Sequence, residues 1–203
     1  LSAVLIYVIL EKQKREKPYR LRPVALAVPI NLRGWFPTET LRNFITMVYP
    51  SIDPRLGDYT FEEIVTQVHH YMRYYINSKF LRGDITTNAS TQRNPLIRIV
   101  PLFLKDFVVR QFYQRVQDKN SSAGLTNMGA IRVPDDMKPY LERFDIYMGI
   151  PYSQRTNCAI VSFEDTLTVN FASCIIEADV ERRFFQKLVE DGIPVTIESN
   201  REL

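Results

Sequence analysis

Seven glycines in 203 residues leave little material for a glycine-rich phosphate loop, and no stretch has the spacing such a loop needs. Two cysteines, Cys158 and Cys174, make no disulfide framework and no paired metal-ligand spacing, so the reading is free thiols in a reducing cytoplasm, with no metal site. The two histidines, His69 and His70, are neighbours in one segment. With no Gly-x-Ser-x-Gly elbow, they cannot complete a serine triad. No long apolar run exists. Leu1 to Leu10 is about half the length that spans a bilayer, and the apolar stretch 95–109 is interrupted by Arg98, Lys105 and Asp106. Neither has the layout of a signal peptide, so no transmembrane segment is expected. A net charge of +3 gives no general basic field, which argues against a nucleic-acid partner. No internal repeat and no low-complexity tract appears.

What is present suits one domain with a real core: 45% hydrophobic residues, 24% charged, twelve Phe and eleven Tyr. Charge is local. Segment 11–22 holds six basic residues and two acidic ones, while the rest of the chain is slightly negative. It reads as a solvated helix end and connector. A sharper reading makes it an anion contact, such as one with the phosphates of coenzyme A. Residues 1–16 read as the end of a helix.

Val24, Leu26, Val28, Ile30 and Leu32 alternate as on a strand with a buried face, and Ala25 and Ala27 keep the other face small. Pro29 weakens pairing near the end of that strand. Asn43 to Ile52 is apolar enough for a second strand. Thr60 and Glu63 form a capping-box pattern. Phe61, Ile64, Val65, Val68, Met72, Tyr75 and Ile76 then recur at helical spacing, predicting a helix over 60–80. His69 lies at the edge of this stripe and His70 off it, which fits packing and surface roles. The stretch 82–93 reads as an exposed loop, in which Arg82-Gly83-Asp84 is a chance match. The patterns Asn88-Ala-Ser90 and Asn120-Ser-Ser122 match glycosylation acceptors by chance. Asn94 and Pro95 open a further helix, 95–116, apolar around most of its circumference. Leu125 to Val133 returns to strand character, and Pro134-Asp135-Asp136 starts a helical turn toward Leu141. Cys158–Phe163 and Leu167–Ala172 predict a hairpin around Glu164-Asp165-Thr166. Lacking Gly, its turn is expected to be longer or irregular. A helix over Ala178 to Glu190, with Val180, Phe184, Leu188 and Val189 inward, stops at Gly192. Val195-Thr196-Ile197 is the last predicted strand. The order is α/β, a mixed sheet with flanking helices.

Val28-Pro29 with Arg33, Asn43-Phe44, Thr126-Asn127-Met128-Gly129, and the paired strands at 158–163 and 167–172 carry a resemblance. In this order they resemble the C-terminal lobe of the two-lobed chloramphenicol acetyltransferase-like and condensation-domain superfamily, closest to bacterial alcohol acetyltransferase-like proteins. The resemblance extends over nearly all 203 residues. It implies one acyltransferase-like lobe, 1–203, in a coenzyme-A-dependent O- or N-acyltransferase fold. Acyl-coenzyme A or an acyl carrier is the implied co-substrate. The implied principal partner is an N-terminal lobe of the same protein. The family's catalytic signature, His-His-x-x-x-Asp-Gly, belongs to that other lobe. Here His69-His70 is followed by Tyr71, Met72, Arg73, Tyr74 and Tyr75, without the Asp or Gly. The chain also begins at Leu1 inside an apolar run. The expectation is therefore a fragment with no catalytic residue of its own, inactive alone, whose uncovered apolar surfaces favour self-association.

The resemblance assigns the tunnel wall to Thr126, Asn127, Gly129 and Ser162. Glycine there permits close approach of a ligand. The same residues also fit a β-bulge in which Asn127 satisfies backbone groups, and Ser162 also fits a plain mid-strand position. Arg33 matches the family's motif Arg and is expected in a structural ion pair. Asn43 matches a motif Asn, although Arg42 stands where the family carries Gly. Acyl transfer needs a general base and oxyanion stabilisation. This lobe can position substrate and offer donors, but it cannot deprotonate the acceptor. The alternative is a non-catalytic, condensation-like module that holds a carrier protein or other partner. A freestanding α/β interaction domain is a third reading. The sequence upstream of Leu1 separates them: an intact signature favours the enzyme, a degenerate one the binding module, and a stop codon with a nearby start the freestanding domain.

Overall fold

The computed structural model describes residues 1–93, 101, 102, 104–107, 111, 121–150 and 154–200. The sheet is mixed and the helices flank it. In chain order the elements are α1 (Ser2–Glu16), β1 (Val24–Asn31), β2 (Ile45–Val48), β3 (Ser51–Ile52), α2 (Phe61–Tyr75) and α3 (Ser78–Arg93). They are followed by β4 (Ala123–Ala130), β5 (Thr156–Phe163), β6 (Thr166–Ser173) and α4 (Asp179–Glu190). The sheet runs β2-β1-β4-β5-β6, with β3 also on β1. The central pairs β1–β4 and β4–β5 are parallel, whereas β1–β2, β1–β3 and β5–β6 are antiparallel.

Alternation in the strands sets the core. Val24, Leu26 and Val28 of β1, Ala123 and Leu125 of β4, and Cys158 and Ile160 of β5 point to one face. There they meet Leu5, Ile6 and Val8 of α1, Ile64 and Val68 of α2, and Val180, Phe184 and Leu188 of α4. The apolar run at the start of the chain is thus a core helix, with six of its residues between 3 and 10 buried. The opposite face is covered by 141–150, which forms no helix or strand. Phe144 sets its ring edge-on to Phe163, and the Gly149 and Asp145 oxygens accept from Asn157 and Asn170.

Several expectations change. The apolar stretch 43–52 becomes two strands, broken at Tyr49-Pro50, each antiparallel to β1. In α2, Val65 and Tyr75 are turned outward, at 42% and 37% exposed. Val189 of α4 is likewise exposed. Residues 82–93 are helix rather than loop. Asn77 caps α3 by accepting from the Lys79 and Phe80 amides, at 3.0 and 3.1 Å. The Thr86 and Thr87 hydroxyls donate back to the Arg82 and Gly83 carbonyls, so these polar side chains are satisfied within the helix. The β5–β6 turn is short: Phe163 pairs with Thr166, leaving only Glu164 and Asp165. Glu164 takes the left-handed conformation, φ 48°, and its carboxylate meets Lys138 at 3.4 Å. The expected last strand, 195–197, forms no ladder; Val195 packs at the core edge and Ile197 is exposed. The helix expected over 95–116 lies mostly outside the described residues.

Candidate functional site

Because β1, β4 and β5 are parallel, their carboxyl ends gather at one end of the sheet. Asn31 and Arg33 leave β1 there, Thr126–Gly129 finish β4, and Ser162 lies near the end of β5. β1 pairs with β4 only through Leu26 and Ala27, so from Val28 onward the two run without a shared ladder. A crevice outside the carboxyl ends of parallel strands is where open α/β sheets place ligands.

Within β4 the register slips between Asn127 and Ala130. Asn127 Oδ1 accepts the Gly129 N–H at 2.8 Å, and Gly129 holds φ +74°. A Cβ on Gly129 would meet nothing within 4 Å, so the glycine serves the backbone angle rather than close packing. Beyond the bulge, Ala130 sits opposite Ser162, and the Ser162 carbonyl accepts from Ile131 at 2.8 Å. This joins Ser162 to the bulge but accounts for Asn127 as a backbone partner. Alternation separates the set further. Thr126 lies beside Ala159, whereas Asn127 and Ser162 follow the parity of Ile160, on the other face. Asn127 is exposed, and Thr126 and Ser162 are half-buried.

Arg33 makes no ion pair among the described residues. Its Nη2 donates to the carbonyls of Arg42, at 2.6 Å, and Thr40, at 3.2 Å. The expected carboxylate partner is replaced by backbone, because the 35–44 loop turns its carbonyls inward over the guanidinium, which presents several donors. Asn31 Oδ1 accepts the Arg33 amide, and Phe44 accepts from Leu32. Asn43 is exposed on this same pinned loop. No described hydrogen bond joins the loop to Thr126–Gly129 or Ser162.

His69 and His70 are both exposed on α2, ring to ring at 5.9 Å. In segment 11–22, Lys14 pairs with Asp58 at 2.8 Å, Arg15 with Asp179 and Lys12 with Glu16, which favours the solvated-connector reading. Sequence reading missed Asn157, 1% exposed, whose side chain accepts from Gly124 and donates to Gly149. It also missed Gln154, which donates to Ser121 at 2.6 Å. A lone amide in the apolar strand β5, or just before it, gives no advance signal of either role.

At this end of the sheet the Thr126 hydroxyl lies on one face, and the Asn127 amide and Ser162 hydroxyl follow the other. They can orient a ligand and donate hydrogen bonds. None titrates near neutrality, so none can act as general base. No described helix is long and apolar enough to cross a membrane. Comparison with protein-family models finds no match, and comparison with curated proteins finds none either.

Proposed function

We propose that this chain is the C-terminal lobe of a coenzyme-A-dependent O- or N-acyltransferase, forming the tunnel wall opposite a histidine carried by a second lobe. The observation that carries the reading is the short β1–β4 ladder, which stops at Ala27 and Gly124 just before Thr126, Asn127, Gly129 and Ser162 at the carboxyl end of the sheet. An extended pantetheine arm needs room between strands beside hydrogen-bonding groups, and the early end of this ladder supports that placement. The donors would orient the thioester, and the base would come from the other lobe. Exposed Leu102 and Phe107, at 72% and 63%, support a further surface being covered in the assembled protein.

The experiment follows thiol release from acetyl-coenzyme A with a panel of short alcohols and amines. This chain is assayed alone and together with the polypeptide encoded upstream of it. The expected result is background turnover alone and turnover above background for the pair. Turnover by the chain alone that disappears in His69→Ala or His70→Ala would overturn the reading. So would a stable pair that releases no thiol with any acceptor.

A further inference from the structure

β2 is an edge strand, and its outer side opens onto a groove. The Leu32 amide bonds the Phe44 carbonyl and the Leu26 amide bonds that of Pro50, which fixes the alternation of the β1–β2 ladder. Thr46 and Val48 therefore turn their backbone groups to β1, and Ile45 and Met47 turn theirs away. Among the described residues nothing meets the outward amides and carbonyls of Ile45 and Met47. The open stretch ends at Tyr49, whose amide donates to the Tyr71 hydroxyl at 3.1 Å.

The groove along this edge encloses about 380 Å³ and is lined by Ile45, Thr46, Met47, Tyr49, Asp84 and Thr87. α3 supplies its second wall. The side chains of Ile45 and Met47 remain 47% and 41% exposed. Asp84 is the one charged group among the described lining residues, and the Thr46 hydroxyl donates to it at 3.2 Å, fixing the carboxylate at the rim. None of the described lining residues is basic.

From this geometry we infer that β2 accepts an extended peptide as an added strand, with a lysine or arginine of that peptide facing Asp84. Natural edges are protected by charge, proline or a covering element; Ile45–Val48 itself carries neither charge nor proline, and among the described residues α3 walls the groove without bonding the outward backbone groups. Backbone pairing along the edge supplies general affinity, and the apolar side chains and single carboxylate supply selection. The inference stands on the β2–α3 groove and is independent of the acyltransferase reading.

The test uses fluorescence anisotropy with a labelled, end-blocked peptide of alternating valine and lysine. Three comparisons accompany it: the valine–glutamate counterpart, the same peptide N-methylated at alternate amides, and two variants of the protein. Met47→Pro removes only an outward N–H, because Met47 sits opposite Pro29 at a position that does not bond β1. Asp84→Asn removes the charge and keeps an acceptor for Thr46. We expect saturable binding of the lysine peptide, lost in Met47→Pro and with the N-methylated probe. Asp84→Asn should weaken it roughly two- to fivefold, the size an exposed ion pair gives. Absence of saturable binding, or equal binding of the N-methylated probe, overturns strand addition. Equal binding to Asp84→Asn and of the glutamate peptide overturns the basic occupant. Should Met47→Pro fail to fold, the N-methylated probe decides the point on the unaltered protein.

Discussion

The Asn157 side chain reaches across from β5 to accept the Gly124 amide of β4 at 2.8 Å, while its own amide group donates to the Gly149 carbonyl. One buried residue thus ties two parallel strands to the cover on the far face. A methyl at position 124 would lie 2.8 Å from Asn157 Oδ1 and 3.0 Å from Met148 Cε. The methionine can move, but the amide cannot without losing its bonds. Gly124→Ala is expected to destabilise the fold by about 1–3 kcal/mol. Asn157→Ala leaves the buried Gly124 amide unpaired, while the Gly149 carbonyl stays within reach of water, and should cost a similar about 1–3 kcal/mol. The double variant should cost less than the two together, since the truncated neighbour makes room for the methyl. Urea unfolding of the four proteins measures this, and strict additivity would refute the direct contact.

Gly129 makes a different prediction, because its surroundings are open and only its backbone angle is demanding. Gly129→Ala should cost about 1–2 kcal/mol through the left-handed conformation alone. Gly129→Asn should cost less, since Asn tolerates that region better. Equal losses in chemical denaturation would show that the bulge is not set by φ.

Burial pushes the Cys158 thiol up to about 12, from an ordinary 9.0. In the folded protein it keeps its proton where an unfolded chain would release it. Its contribution to stability is whole below pH 9 and is lost as pH rises toward 12. Ellman's reagent at pH 8 should therefore modify one thiol per native chain, the exposed Cys174, and two once the chain is unfolded. Two thiols modified rapidly in the native state would contradict the burial of Cys158.

What the sequence disclosed depended on how local the cause was. β1 was legible because Val24, Leu26 and Val28 alternate without interruption. α2 was legible because Thr60 and Glu63 announce its start, and both halves of the box form, at 3.3 and 2.7 Å. The bulge at Asn127 was readable as one of two alternatives, since a polar pair before Gly is a local signal. α3 was hidden: its hydroxyls and Gly83 mimic a loop, and its cap, Asn77, follows too closely on α2 to read as a boundary. The tight turn at Glu164 was hidden because it requires a positive φ at a residue that seldom adopts one. Asn157 and the carbonyl partners of Arg33 were out of reach because each bond joins segments that only the fold brings together.

The two faces of the sheet are unlike in what it takes to expose them. On the helical side, uncovering β1 means withdrawing α1, and with it Leu5 and Ile6, both at 0% exposure, so it amounts to global unfolding. On the other side, residues 141–150 hang on side-chain ties such as Phe144 to Phe163 and Asn170 to Asp145, with no ladder of their own. Such a strip can peel away as a unit while the strands beneath stay bonded to one another. Its amides would then exchange with solvent well ahead of those of β4 and β5, and a protease would nick it before touching the sheet. Among the described residues, the route to partial opening therefore lies on one side of the sheet.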